Sequence, residues 1–298
     1  MEKYEHEGLL FKAIRESRKL SLKRVADGIC DRTTIQKFEK SGNNMGFITF
    51  YKLIQRMGVT LAEFQQEMND YELDDLKWLM TEIGNYYDSR DIDGLRSITS
   101  QLEREVEPND KLTYTKMNYL MAKILLSYID DEVELSTHDK ENITGYLIFN
   151  EHWGFFELTL FGNTMKALPL EDLLDLTKQI IIRSDFYQSI AENKSLTIQI
   201  SLNAMKEFIA RRKYEMAREI SQSIKEILDE GQAYYKLVHM FVLGSLEFSM
   251  DNYELGIKLM KQAIQILEVL KEHKLVNDYR RTYNVAVRHL EEKGIELG

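Results

Sequence analysis

A chain of 298 residues, 44% of them apolar, with 2 prolines and 15 glycines, can fill two domains or a repeat array, and its composition favours helix throughout. Its single cysteine, Cys30, excludes an intramolecular disulfide and a Cys-rich metal site and fits a reducing cytoplasm; no run of about 18 apolar residues offers a membrane span, and the stretch MEKYEHEGLL is too polar for a secretory signal. The net charge of −10 argues against nucleic acid only until it is divided: residues 1–67 hold 12 Lys+Arg and 9 Asp+Glu, residues 12–56 hold 11 and 4, and the remainder holds 27 and 40. A basic head on an acidic body is the asymmetry a DNA-binding head needs, because phosphate neutralisation supplies most sequence-independent affinity.

The stretch LLFKAIRESRKL predicts a first helix, with Leu10, Ile14 and Arg18 spaced by four and Leu9 and Ala13 beside them. Ser21 is placed to cap a short second helix, LKRVADG, whose Leu22, Val25 and Ala26 face inward. Asp31 is the expected N-cap of a third, since its carboxylate can accept from the open backbone N–H groups there. In DRTTIQKFEK only Ile35 and Phe38 are apolar, and they share one face. A fourth helix, FITFYKLIQRMG, has Phe47, Phe50, Leu53, Ile54 and Met57 at helical spacing and stops at Gly58. Thr60 and Glu63 form the capping box of a fifth, LAEFQQEM.

Five short helices, the second and third joined by a tight turn, make a helix-turn-helix domain at residues 1–67, whose third helix enters the major groove. Ile35 and Phe38 anchor that helix, while Arg32, Thr33, Thr34, Gln36 and Lys37 project outward. Arg32 suits guanine and Gln36 suits adenine, each by a bidentate contact; Lys23 and Lys40 suit phosphates. Arg15 has two readings, a phosphate contact or an internal ion pair with Glu39. A chance basic patch on a solvated surface is the bland alternative for the whole face.

The run from Ser21 to Phe64 resembles the Cro/repressor-type helix-turn-helix and, more closely, the Rgg/MutR transcription regulators of Gram-positive bacteria. The residues that carry the resemblance are Val25-Ala26, Ile35, Phe38-Glu39, Leu53 and the closing Thr60-Leu61-x-Glu63-Phe64. Two departures stand out. The usual glycine after Glu-Lys/Arg is Ser41, with Gly42 following. Some members of the family carry, in the next stretch, a cysteine that links two subunits; Phe47 stands there, so no such link is expected. Cys30 occupies a usually apolar position and reads as a small core residue rather than a redox switch.

Residues 70–298, within a second domain at 68–298, read as continuous amphipathic helix with short breaks. The segments RRKYEMAREISQSIKEIL (211–228) and MDNYELGIKLMKQAIQIL (250–267) align at an offset of 39, placing Tyr214 and Ala217 on Tyr253 and Gly256. Leu95 and Leu173 take the place of the small residue further up, 78 apart. About five helix pairs follow, one of them degenerate near 112–140. Leu243-Gly244, Gly256 and Ala263 resemble the tetratricopeptide pattern, in which small residues let paired helices pack closely. The expected fold is therefore all-α: a five-helix head, then a right-handed TPR-like superhelix with a concave face.

The segment NEHWGFFELTLFGN (150–163) also resembles a feature of Rgg regulators, so the resemblance covers nearly the whole chain. It implies a cytoplasmic receptor for a short secreted pheromone peptide, acting as a homodimer on double-stranded promoter DNA in quorum sensing, without a cofactor. With the first helix of each pair facing inward, the repeat register puts Tyr87, Leu158, Gly162, Leu202, Lys206, Phe241 and Ser245 on the groove, with Asn163 and Asn203 on the same helices. Asparagine amides suit a peptide backbone, and Arg183 suits a peptide carboxylate. Each has a competing reading: Tyr87, Leu158, Leu202 and Phe241 as core, the asparagines as helix-surface residues or inter-helix partners, Arg183 as a solvated charge.

Catalytic and metal constellations are not expected. None of the six histidines has a second His or a Cys at ligand spacing. His152 beside Trp153 reads as a packed or hydrogen-bonded residue, and the pairs Asp74-Asp75 and Asp130-Asp131 as helix starts. Two rivals to the peptide receptor stay open: a regulator whose repeat body is a dimerisation scaffold or senses a small molecule, and a helical-repeat interaction module without DNA binding. In the C-terminal helix, Val276, Tyr279, Tyr283, Ala286 and Leu290 share one face, which suits either a cap on the superhelix or a dimer contact.

Overall fold

The computed structural model describes residues 5–42, 44–68, 75–107, 113–182 and 191–295. Among these, every regular element is a helix. The chain divides into two compact units, Met1–Glu82 and Ile83–Gly298.

The first unit contains α1 (Glu7–Ser17), α2 (Leu22–Ala26), α3 (Arg32–Ser41), α4 (Phe47–Arg56) and α5 (Leu61–Met68). The Ser21 hydroxyl caps α2 by accepting from the Arg24 N–H at 3.2 Å. Thr60 and Glu63 form the reciprocal box at α5: the Glu63 N–H donates to Thr60 Oγ1 at 3.1 Å and the Thr60 N–H to Glu63 Oε2 at 2.7 Å. Asp31 departs from expectation. It holds the N-cap position of α3 in extended backbone, but its carboxylate makes no capping bond. Ser41 stays helical, and Gly42 closes α3 with φ +59°, a left-handed conformation that glycine adopts without a Cβ clash.

A chain of ring contacts ties these helices together. Phe11 meets Phe38 edge-on at 5.7 Å, Phe38 meets Phe50 at 6.0 Å, and Phe50 meets Phe64 at 4.9 Å. Leu10, Ile35, Leu53 and Ile54 complete the core. Phe11, left out of the sequence-based face, is fully buried, whereas Leu9 is only half-buried. Phe47 departs the other way. It opens α4, beyond the reach of the core, and is 61% exposed, stacked on Tyr51 at 6.1 Å. Cys30 is half-buried against the core, and burial pushes its thiol pKa up, as suits a packing residue.

The division between the units falls inside α6 (Asp75–Ser89). The second unit continues with α7 (Ile92–Glu105), α8 (Tyr114–Ser127), α9 (Thr137–Phe149), α10 (Phe155–Thr164, followed by a 3-10 turn), α11 (Leu170–Ile182), α12 (Ala191–Ala210), α13 (Tyr214–Ile227), α14 (Ala233–Ser249), α15 (Tyr253–Val269) and α16 (His273–Lys293). Helices α8, α10, α12 and α14 pack side by side as one row, and α9, α11 and α13 as another. The two segments aligned at offset 39 are α13 and α15, the second helices of the packed pairs α12/α13 and α14/α15. Leu95, Leu173 and Ala217 are each fully buried, and Gly256 is buried at the equivalent place. A Cβ on Gly244 would lie 2.9 Å from the Gly256 carbonyl oxygen, so the two small residues set the close approach of α14 and α15.

On α16, Val276, Tyr279, Ala286 and Leu290 are buried within their own chain, with Tyr279 stacked on Phe241 of α14 at 3.6 Å. That stripe caps the array. Two smaller expectations are corrected. His152 is exposed, and it is Trp153 that packs, donating from Nε1 to the carbonyls of Leu147 and Asn150. Asp130 and Asp131 lie between α8 and α9 rather than at a helix start; Asp130 pairs with Arg96. Asp74 lies outside the described residues.

Candidate nucleic-acid interface and inner cleft

On α3, Ile35 and Phe38 point into the core, and Arg32, Thr33, Thr34, Gln36, Lys37 and Lys40 are all exposed. Lys23, at the start of α2, is exposed as well. The polar face is thus a continuous strip of hydrogen-bonding and cationic groups, held rigid from behind by two buried apolar side chains. Two nearby arginines are occupied structurally: Arg18 donates to the Met57 carbonyl and Arg56 to the Asp27 carbonyl.

Arg15 does not belong to that strip. Its guanidinium donates from Nε to Glu39 Oε1 at 2.6 Å and from Nη2 to Glu39 Oε2 at 2.8 Å, with both side chains buried. A third bond reaches the Leu20 carbonyl at 2.8 Å. The hydrogen bonds and charge of Glu39 raise the arginine pKa further. Of its two readings the structure takes the ion pair, and Arg15 is withdrawn from the DNA-contact set.

The residues expected to line a groove separate into three groups. Leu158 and Phe241 are buried, which favours their competing reading as core over the groove. Tyr87, Gly162 and Asn163 serve contacts between elements: Tyr87 meets Tyr128 edge-on at 6.3 Å, a Cβ at Gly162 would crowd Ile200 of α12 at 3.1 Å, and Asn163 Nδ2 donates to Met121 Sδ at 3.5 Å. Ser245 donates back to the Phe241 carbonyl and borders a cleft of about 420 Å³ near Tyr253 and His289. Arg183 lies outside the described residues.

Leu202, Asn203 and Lys206 do converge. With Gln199 they face a cleft of about 150 Å³ between α12, α14 and α16, whose other walls are Tyr234, Tyr235, Val238, Leu275 and Tyr279. Leu202 is itself almost fully buried and contributes an apolar floor. Lys206 is exposed yet set in the concavity, and the loss of surrounding water lowers its ammonium pKa. Tyr279 is 6% exposed, and its hydroxyl finds no partner among the described residues. Sequence reasoning missed Gln199, Tyr234 and Tyr235; nothing in the period of α12 foretells which residues of α14 and α16 stand opposite.

A model of the C-terminal domain of the HTH-type transcriptional regulator Rgg matches residues 100–281, and a helix-turn-helix model matches residues 11–64. This chain belongs to the Rgg family of helix-turn-helix transcriptional regulators. Solved structures show the same fold. The SHP pheromone receptor Rgg2 of Streptococcus dysgalactiae is 23% identical, with a TM-score of 0.77 over 94% of this chain and 99% of that one. A transcriptional regulator from Listeria monocytogenes EGD-e is 21% identical, with a TM-score of 0.83 over 98% and 100%. The PrgX/cCF10 complex is 15% identical, with a TM-score of 0.69 over 94% and 99%. The Rgg-matched segment takes in α8 to α15 and the start of α16, and so the whole of the inner cleft. The helix-turn-helix match takes in α3.

Proposed function

We propose that this Rgg-family chain is a homodimeric, cytoplasmic regulator that binds promoter DNA through α3 and is controlled by a short signalling peptide held on the inner row of its repeat body. Residues 1–67 carry DNA binding, and residues 68–298 carry sensing and dimerisation. The observation that supports the DNA half is the exposed strip from Arg32 to Lys40 on a helix-turn-helix frame. The peptide half draws on relatives named as a pheromone receptor and as the PrgX/cCF10 complex, and on the cleft between α12, α14 and α16. A peptide shifts the regulator by its differential affinity for two arrangements of the heads.

The chain carries out no catalysis on this reading. The described pair that most resembles a nucleophile and base, Ser221 Oγ and His239 Nε2 at 2.8 Å, is buried between α13 and α14, out of reach of a substrate. The test is fluorescence anisotropy of the full-length protein on the DNA upstream of its own gene. Expected are an affinity that falls steeply with salt and a shift of several-fold on adding peptides encoded by short reading frames beside the gene. Salt-independent binding, or none, removes the DNA half; silence across all such peptides removes the peptide half.

A further inference from the structure

The geometry points to the cleft between α12, α14 and α16 as an anchor for the free C-terminal carboxylate of a peptide whose last side chain is apolar, with Lys206 as the cation that holds it. This rests on the peptide-control reading above and specifies which end of the peptide is recognised.

Three independent observations lead there. First, Lys206 is an unspent charge. Among the described residues its ammonium meets no carboxylate; its contact is the Asn203 Oδ1 at 3.4 Å. The neighbouring Glu207 is taken by Arg211, Nε to Oε1 at 2.7 Å. The lowered pKa of Lys206 reports enclosure, so an arriving anion would meet a partly desolvated cation, where a charge-assisted bond counts for more than on an open surface.

Second, Tyr279 contributes a buried hydroxyl with no acceptor. Buried donors are almost always paired, so this hydroxyl, on a residue that lines the cleft, can donate to an acceptor that a bound group supplies. Tyr279 shares the cleft with Tyr234, which is 47% exposed. Third, the size and walls suit one terminal residue. About 150 Å³ beside Leu202, Val238 and Leu275 holds a single apolar side chain. A chain terminus presents its last side chain and its carboxylate from the same Cα, which matches a cleft lined by apolar side chains and a cation together. An Asp or Glu side chain within a peptide brings the charge without the apolar companion.

The probe is a pool of short synthetic peptides with Leu, Ile, Val, Phe or Trp at the last position, made once as free acids and once as C-terminal amides. Full-length protein captures them, and mass spectrometry reads retention. The free acids are expected to be retained about tenfold or more over the amides. Lys206→Gln is expected to abolish that preference and Lys206→Arg to keep it, with circular dichroism unchanged in both, because the side chain is exposed. Equal retention of acid and amide by the natural protein, or a preference that survives Lys206→Gln, overturns the anchor and leaves peptide control standing. If internal Asp or Glu alone governs retention, the C-terminal assignment is overturned. Retention of no peptide in either form removes the peptide-control reading itself, and the anchor with it.

Discussion

Arg15 and Glu39 join α1 to α3 by two parallel bonds, 2.6 Å from Nε to Oε1 and 2.8 Å from Nη2 to Oε2, with both side chains turned away from solvent. Glu39 lies between Phe38 and Lys40, so the pair fixes the back of the helix whose front carries the exposed strip. Removing one partner strands a buried charge, and such breakage costs about 3–5 kcal/mol. Arg15→Met is therefore expected to lower the urea midpoint for loss of promoter binding, and Arg15→Met with Glu39→Leu to recover most of it. Unchanged stability with weakened DNA binding would instead make Arg15 a DNA contact.

The front of α3 makes an opposite prediction. Arg32, Gln36, Lys37 and Lys40 are exposed and hold nothing in the core, so alanine there should leave the thermal midpoint unmoved. Arg32→Ala and Gln36→Ala should each cost about 1–3 kcal/mol of binding and relax preference at one base position. Lys37→Ala or Lys40→Ala should weaken all sequences alike and reduce the salt slope by about one. Anisotropy against salt on specific and scrambled duplexes separates the two behaviours. A uniform loss for Arg32→Ala would place that residue on phosphate.

The two-faced pattern of α3 was readable in advance because Ile35 and Phe38 are the only apolar residues in a polar stretch. The repeat was readable because Tyr214 and Tyr253 mark equivalent turns. The inner row was read less well, for a physical reason. An apolar residue on a helix in a two-layer array can face the partner layer, the next helix in its own row, or the open side, and one period fits all three. Leu158 and Phe241 took the packing sides, and Lys206 took the open one. Phe47 shares the helical spacing of the core residues yet is exposed, because spacing does not say where a core ends. Tyr234, Tyr235 and Gln199 had no legible signal, since what they share is a cleft made by three helices distant in sequence.

The approach of α14 to α15 depends on atoms that cannot give way. A Cβ at Gly244 would sit 2.9 Å from the Gly256 carbonyl oxygen and the Met260 backbone nitrogen. Gly244→Ala should therefore push the helices apart and destabilise the repeat body by about 1–3 kcal/mol despite the better helix propensity of alanine. Gly145, inside α9, has open space around its Cβ direction. Gly145→Ala should stabilise by about 0.5–1 kcal/mol. Thermal unfolding of the two variants beside the natural protein checks both, and equal shifts would mean that α14 and α15 can slide.

His239 ties stability to pH. It sits between α13 and α14 with Nε2 2.8 Å from Ser221 Oγ and is 6% exposed. Burial first, and then the charge of Lys225, hold its pKa down to about 4, against 6.5 for a free imidazole. As pH falls below 6.5 the unfolded chain takes up a proton that the folded chain refuses until about 4. The contribution is thus intact above 6.5 and lost progressively on acidification, at up to about 1.4 kcal/mol per pH unit. The total is on the order of 3 kcal/mol across the window. Asp130 and Asp139, whose pKa values are lowered by partners, lose their contributions at lower pH. The informative comparison is therefore His239→Asn against the natural protein in urea between pH 6.5 and 4.5. The natural protein should lose the greater stability over that interval. Parallel curves would mean that His239 takes up its proton alike in the folded and unfolded chain.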